Sequence, residues 1–225
     1  MNRETHGAHR YYYICGGPNT GYSSEFSFKT APAVGSRDDR VVVMYGDMGI
    51  VQYSYYTVEH VTHLVDNSDA NVDFIYQAGD YGYGNDRDPM FYEMSWNLFF
   101  TQLTLPMTKV PYMVAPGNHE ESCGSSECDF YANNFTVYNS RFRMPYQESG
   151  APTNMWFSFD YGNIHFITIS TETDFPNWYA FEINETGVSD FVLVRTMMTH
   201  LEISFLGLLM ISKLPQIVLL LIGLL

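Results

Sequence analysis

The chain has 225 residues, a net charge of −14, and 46% hydrophobic and 16% aromatic residues. That length and apolar content support one sizeable core, or one domain plus a fragment, and exclude a largely disordered chain. The acidity repels phosphate backbones and so excludes nucleic acid as a partner, while remaining compatible with bound cations that offset clustered carboxylates.

Residues 1–10, MNRETHGAHR, are polar and carry no apolar stretch of the signal-peptide kind, so no signal peptide is expected in this chain. Next, YYYIC and EFSFKT flank a Gly/Pro/Asn-rich turn and read as an antiparallel hairpin. Two strands alone are not stable, so the hairpin either belongs to a larger β-domain or packs on the segments C-terminal to it. APAVGSRDD reads as a loop or linker.

From Arg40 the pattern changes. Apolar runs rich in β-branched and aromatic residues recur at VVVMY (41–45), VDFIYQA (72–78) and VPYMVA (110–115), each ending in a glycine-containing turn. Between the first two, YYTVEHVTHLVDN places Val58, Val61 and Leu64/Val65 at helical spacing. Between the second and third, MFYEMSWNLFFTQL does the same with Phe91, Met94, Leu98 and Phe99. Strand, turn, helix and strand in repetition predict βαβ units, hence an α/β fold with a parallel sheet.

Cys123 and Cys128 bracket the short polar loop CGSSEC; they form a disulfide in an oxidising compartment or stay as thiols in a reducing one. No further Cys or His follows at zinc-site spacing. Cys15 is either free or paired outside this segment. N-x-[ST] sequons stand at Asn134 and Asn184. MWFSFDYGNIHFITIST (155–171) reads as a second hairpin turning at Tyr161, Gly162 and Asn163. Residues 203–225 are nearly all apolar, but Lys213 and Pro215 divide them into runs too short for a membrane span. A buried helix or a non-native tail is expected there in preference to an anchor.

Three of the strand ends carry chemistry: GDMG (46–49), GDYGY (79–83) and GNHE (117–120). Loops at the carboxyl ends of parallel strands share one crevice, so Asp47, Asp80, Tyr83, Asn118 and His119 are expected to converge. Two carboxylates, a phenol and an amide oxygen form a hard donor set of the kind that hard cations and ferric iron prefer. Asp80, on the middle motif, is placed to bridge two ions, and His119 to hydrogen-bond a phosphate or protonate a leaving group. Any one of these motifs is an ordinary turn or helix cap; three on successive strand ends are not.

In this order the motifs GDxG, GDxxY and GNHE resemble those of the purple acid phosphatases, a branch of the calcineurin-like metallophosphoesterases. The likeness covers residues 10–178. It implies a metallophosphoesterase sandwich of mixed sheets flanked by helices over residues 37–180, with residues 1–36 as the last hairpin of a preceding fibronectin-type β-sandwich. Residues 181–225 form an atypical hydrophobic tail. The resemblance further implies that Asp47 and Tyr83 bind a ferric ion, and that Asp80 bridges it to a second divalent metal (iron, zinc or manganese). Asn118 binds that second metal and His119 contacts the substrate phosphate. The implied activity is acid hydrolysis of small-molecule phosphate monoesters by a secreted or lysosomal glycoprotein.

The family pattern also needs histidine ligands from VxxH and GHxH, and neither motif occurs in this chain. His165 falls where the family has a structural histidine, while His60 and His63 lie on the first helix and His200 has no motif partner. The polypeptide by itself is therefore expected to be weakly active or inactive, with a non-catalytic metal- or partner-binding role, or a membrane-attached one, as the alternatives. Substrate identity, the second metal and the oligomeric state are not encoded in these motifs.

Overall fold

The computed structural model describes residues 8–50, 52, 54–123 and 134–170, and the backbone of a strand at 216–222. In chain order, β1 (Arg10–Tyr13), β2 (Gly16–Gly17), β3 (Gly21–Tyr22) and β4 (Phe26–Lys29) form one long hairpin. Tyr11 pairs with Phe28 and Tyr13 with Phe26, and their rings pack along one face, the first pair stacked and the second tilted. The hairpin packs on the α/β segment C-terminal to it: the Tyr13 hydroxyl donates to the Thr108 carbonyl at 3.0 Å.

The expected βαβ units are present. β5 (Val42–Tyr45), β6 (Phe74–Ala78) and β7 (Tyr112–Ala115) form a parallel sheet in that order, with α1 (Ser54–Asp66) crossing between the first two strands. Between β6 and β7 lie α2 (Tyr92–Gln102) and a separate short helix, α3 (Thr104–Lys109). The helical spacing in the sequence carries α2 to Leu103 and does not signal α3. Pro106 accounts for the break: in one continuous helix its ring would meet the Gln102 carbonyl, whereas in the first turn of a new helix its missing N–H costs nothing.

The apolar face expected for α2 was Phe91, Met94, Leu98 and Phe99. Of these only Phe99 is buried; Phe91, Met94 and Leu98 are 41%, 47% and 45% exposed. The inward face is Tyr92, Ser95, Trp96 and Phe99, also at i, i+3, i+4, i+7. Because apolar residues occupy both sides of this helix, periodicity alone does not identify the buried one. On α1, Val61 is buried and Val58 packs against the core, but Leu64 is exposed.

α4 (Thr136–Arg141) precedes the second hairpin, β8 (Phe157–Tyr161) and β9 (Ile164–Ser170), whose two-residue turn is Gly162–Asn163. β10 (Gln216–Ile222) runs parallel beside β9, so this part of the apolar tail is a strand and not the expected helix. The six-residue apolar run 217–222, between Gln216 and Gly223, satisfies either reading by pattern. The rest of 171–225, including His200 and Asn184, lies outside the described residues, as does Cys128. Cys123 is buried and disulfide-bonded, while Cys15 is a free, exposed thiol.

The core lies between the parallel sheet and the β8–β9 hairpin. Strand alternation sends Phe74 and Tyr76 to one face, where the Phe74 ring meets Phe159, Tyr161 and Phe166. There the Tyr76 and Thr168 hydroxyls share a hydrogen bond of 2.7 Å between sheets. Beyond the carboxyl end of β6, Tyr81 sits among Trp96, Phe99, Tyr138 and Phe142. Its hydroxyl donates to the Ala115 carbonyl at 2.5 Å. This aromatic cluster is the floor on which the strand-end loops rest. Among the described residues no helix is long and apolar enough to cross a membrane.

Candidate metal centre

The loops after β5 and β6 turn sharply as they leave the sheet. Asp47 and Asp80 both adopt φ 53° and Tyr83 φ 50°, a left-handed backbone that aspartate tolerates better than most residues and tyrosine poorly. Such conformations persist only where the surroundings over-determine them, and they gather at functional sites. Between Asp80 and the turn after β7 there is no room for a side chain: a Cβ on Gly79 would lie 2.5 Å from Gly117 N, and Gly79 itself adopts φ 75°.

These turns bring three of the five expected residues into one oxygen cluster. The Tyr83 hydroxyl donates to Asp47 Oδ1 at 2.9 Å and lies 3.4 Å from Asp80 Oδ2. His119 joins from the third turn. Its backbone N–H donates to Asp80 Oδ1 at 3.3 Å, and its ring packs on Tyr83 with centroids 4.3 Å apart. Asn118 opens the same 3-10 turn, Asn118–Glu120, with an exposed side chain. His165 is elsewhere, bonded to Asp160 at 2.6 Å, and His60 and His63 lie exposed on α1.

Electrostatically the cluster is short of positive charge. Burial pushes the Asp80 carboxyl above its usual range and the nearby Asp47 charge adds to the push, while the His119 N–H and ring act against it. Burial also raises the Tyr83 phenol, helped by its hydrogen bond to Asp47 and by both carboxylate charges. Two carboxylates sharing one phenolic proton fit a hard cation, which supplies the missing charge and accepts all three oxygens. The donor chemistry therefore suits the metal pair that the motifs implied, although among the described residues no three His, Cys, Asp or Glu side chains form a metal-holding group.

Four residues here were not singled out from sequence. Asn85 Oδ1 accepts from His119 Nδ1 at 2.8 Å, with Asp86 Oδ1 at 3.5 Å. An amide oxygen only accepts, so the imidazole carries its proton on Nδ1 and leaves Nε2 for a ligand. Glu120 is buried and accepts from three backbone N–H groups, those of Asp80, Tyr81 and Gly117. Burial pushes its carboxyl up to about 8 against the pull of those three donors. Gln77, at the end of β6, donates to the carbonyls of Gly79 and Asp80. Glu120 closes the GNHE motif without having been given a role, and the only signal for the other three was adjacency to a motif.

Residues 40–196 match the calcineurin-like phosphoesterase family. The chain belongs to that family. Relatives it matches include purple acid phosphatases, whose family implies a binuclear metal centre. Probable purple acid phosphatase 20 of Arabidopsis thaliana is 35% identical over 165 residues, covering 73% of this chain and 34% of that protein. An acid phosphatase of Aspergillus ficuum is 29% identical over 248 positions, covering 74% and 39%. The structure of a purple acid phosphatase from yellow lupin (Lupinus luteus) seeds superposes with a TM-score of 0.56 at 26% identity, covering 75% of this chain and 31% of that one. The mixed α/β architecture expected from sequence is thus that of the family. The chain spans roughly a third of the length of these relatives.

Proposed function

We propose that this chain carries the first half of an acid phosphatase site for small phosphate monoesters. The observation that carries the reading is the Tyr83 hydroxyl placed between the Asp47 and Asp80 carboxylates. Asp47 and Tyr83 would hold a ferric ion, Asp80 would serve both that ion and a second divalent one (iron, zinc or manganese), and Asn118 would hold the second. When bound, such a pair offers Lewis acidity toward a phosphoryl group and an acidified water. His119, with Nδ1–H donating to Asn85, presents Nε2 to the substrate; protonated there, it donates to a phosphate oxygen or to the leaving group. Resemblance to the family also supports a secreted or lysosomal glycoprotein, with the exposed Asn134 as one acceptor, and a β-sandwich origin for the β1–β4 hairpin.

The absence of VxxH and GHxH from these 225 residues favours a second clause. Taken alone, the polypeptide lacks imidazole donors for both metals, and so holds them loosely and hydrolyses slowly or not at all. In the limit this becomes the second reading, a non-catalytic metal- or partner-binding protein. The test is to load the purified chain with Fe(III) and Zn(II), count bound metal, and assay a chromogenic aryl phosphate at acid pH. Iron bound with a visible tyrosinate band and slow turnover is expected. Two tightly held metals with full turnover would remove the impairment clause, and no bound metal would remove the metal-site reading itself.

A further inference from the structure

Two buried polar side chains outside the oxygen cluster grip the same peptide turn from opposite sides. Gln77 is 0% and Glu120 2% exposed. Burying such groups is costly unless their partners are supplied, so the atoms they bond to are informative. Glu120 Oε2 accepts from Asp80 N and Gly117 N, each at 2.8 Å, and Oε1 from Tyr81 N at 3.0 Å. Gln77 Nε2 reaches the carbonyl side of the turn, at 3.3 Å from Gly79 O and 3.4 Å from Asp80 O. Those two carbonyls also accept from Asp47 N and Met48 N. The Gln77 carbonyl oxygen is itself held by the Tyr112 hydroxyl, which pairs with Tyr45.

The residue enclosed by these bonds is Asp80, in its left-handed conformation. We propose that Glu120 and Gln77 are positioning residues that together lock the Asp80 turn and so aim its carboxylate at Tyr83 and the metal pair. Glu120 fixes the N–H side and joins the β6 loop to the β7 loop. Gln77 fixes the carbonyl side and, through its own oxygen, ties the turn to Tyr112 on β7. Neither is a metal ligand. The inference rests on the reading of Asp80 as a ligand, and its test separates the two.

Glu120→Gln replaces one accepting oxygen by an NH2 group that faces backbone N–H. Gln77→Met keeps the volume, removes the donor to the carbonyls, and leaves the three Glu120 bonds alone. Each variant of the full chain is titrated with Fe(III) as its citrate, following the tyrosinate band, well below its own measured unfolding temperature. Amide exchange is followed at Asp80, Tyr81 and Gly117. Both variants are expected to bind iron about 10–100-fold more weakly with a shifted band, and Glu120→Gln to speed exchange at the three amides. Parent-like affinity, band and exchange in the folded variants would overturn the proposal. Should Glu120→Gln not fold, Gln77→Met decides by the same criteria. A parent chain that takes up no iron sinks the reading of Asp80 as a ligand. Exchange then judges the lock alone, and equal protection with and without the Glu120 carboxylate overturns it.

Discussion

Gly117 and Asp80 approach so closely that a Cβ on Gly117 would lie 2.1 Å from Asp80 Oδ1 and 2.9 Å from Asp80 N. The glycine of the third motif is therefore a spatial requirement of the aspartate of the second. Gly117→Ala must displace the carboxylate, the turn, or both. We expect about 1–3 kcal/mol of destabilisation by overpacking, with a sharp loss of iron uptake. Urea unfolding alongside iron titration checks it; an alanine variant with parent-like uptake would show that the Asp80 position is not tightly set.

Metal uptake should release protons. The Tyr83 phenol is held protonated by burial and by two carboxylates, and a metal can use its oxygen only after that proton leaves. Affinity must then rise with pH, because the bound state carries fewer protons than the free one. Adding Fe(III) as its citrate to the chain in weak buffer should acidify the solution, and Tyr83→Phe should release about one proton fewer per ion bound. Equal release from the two proteins would remove Tyr83 from the ligand set.

The inward face of α2 can be tested by a contrast within one helix. Trp96 is buried, and Met94, two residues away, is largely exposed. Trp96→Ala should cost about 3–5 kcal/mol, with Met94→Ser changing stability by no more than about 0.5 kcal/mol. Denaturant midpoints decide, and a larger effect at Met94 would reverse the face.

Where the two sheets meet, Thr168→Val would leave the buried Tyr76 hydroxyl without its partner, at a cost of about 1–3 kcal/mol. Adding Tyr76→Phe removes the stranded group and should recover much of that loss. A double variant as unstable as the sum of the single ones would mean the hydrogen bond contributes little to joining the sheets.

The legible part of this chain was its alternation. β-branched runs ending in glycine turns located all three strands of the β5–β6–β7 sheet, and the polar residues at their ends pointed to the cluster of Asp47, Asp80, Tyr83 and His119. α2 was legible in existence but not in orientation, since Met94 and Leu98 repeat as regularly as Tyr92 and Trp96. Trp96 is buried by the aromatic group around Tyr81 and Phe142, which comes from other parts of the chain. Glu120 was visible as the last residue of GNHE but its role was not, and Gln77 gave no signal of its own. Their partners are backbone groups of neighbouring loops, and side-chain patterning does not record where a peptide N–H points.

The fold spends its loop amides on itself. Asp47 N and Met48 N donate to Gly79 and Asp80 carbonyls, Asp80 N, Tyr81 N and Gly117 N donate to Glu120, and His119 N donates to Asp80. In nucleotide-binding loops of the glycine-rich kind, such amides face outward and cradle the phosphate directly. Here those six amides are already engaged. Under the proposed function, an incoming phosphate would be recognised by side chains and metal charge and not by these amides, which ties anion affinity to the loaded site more than to the peptide scaffold.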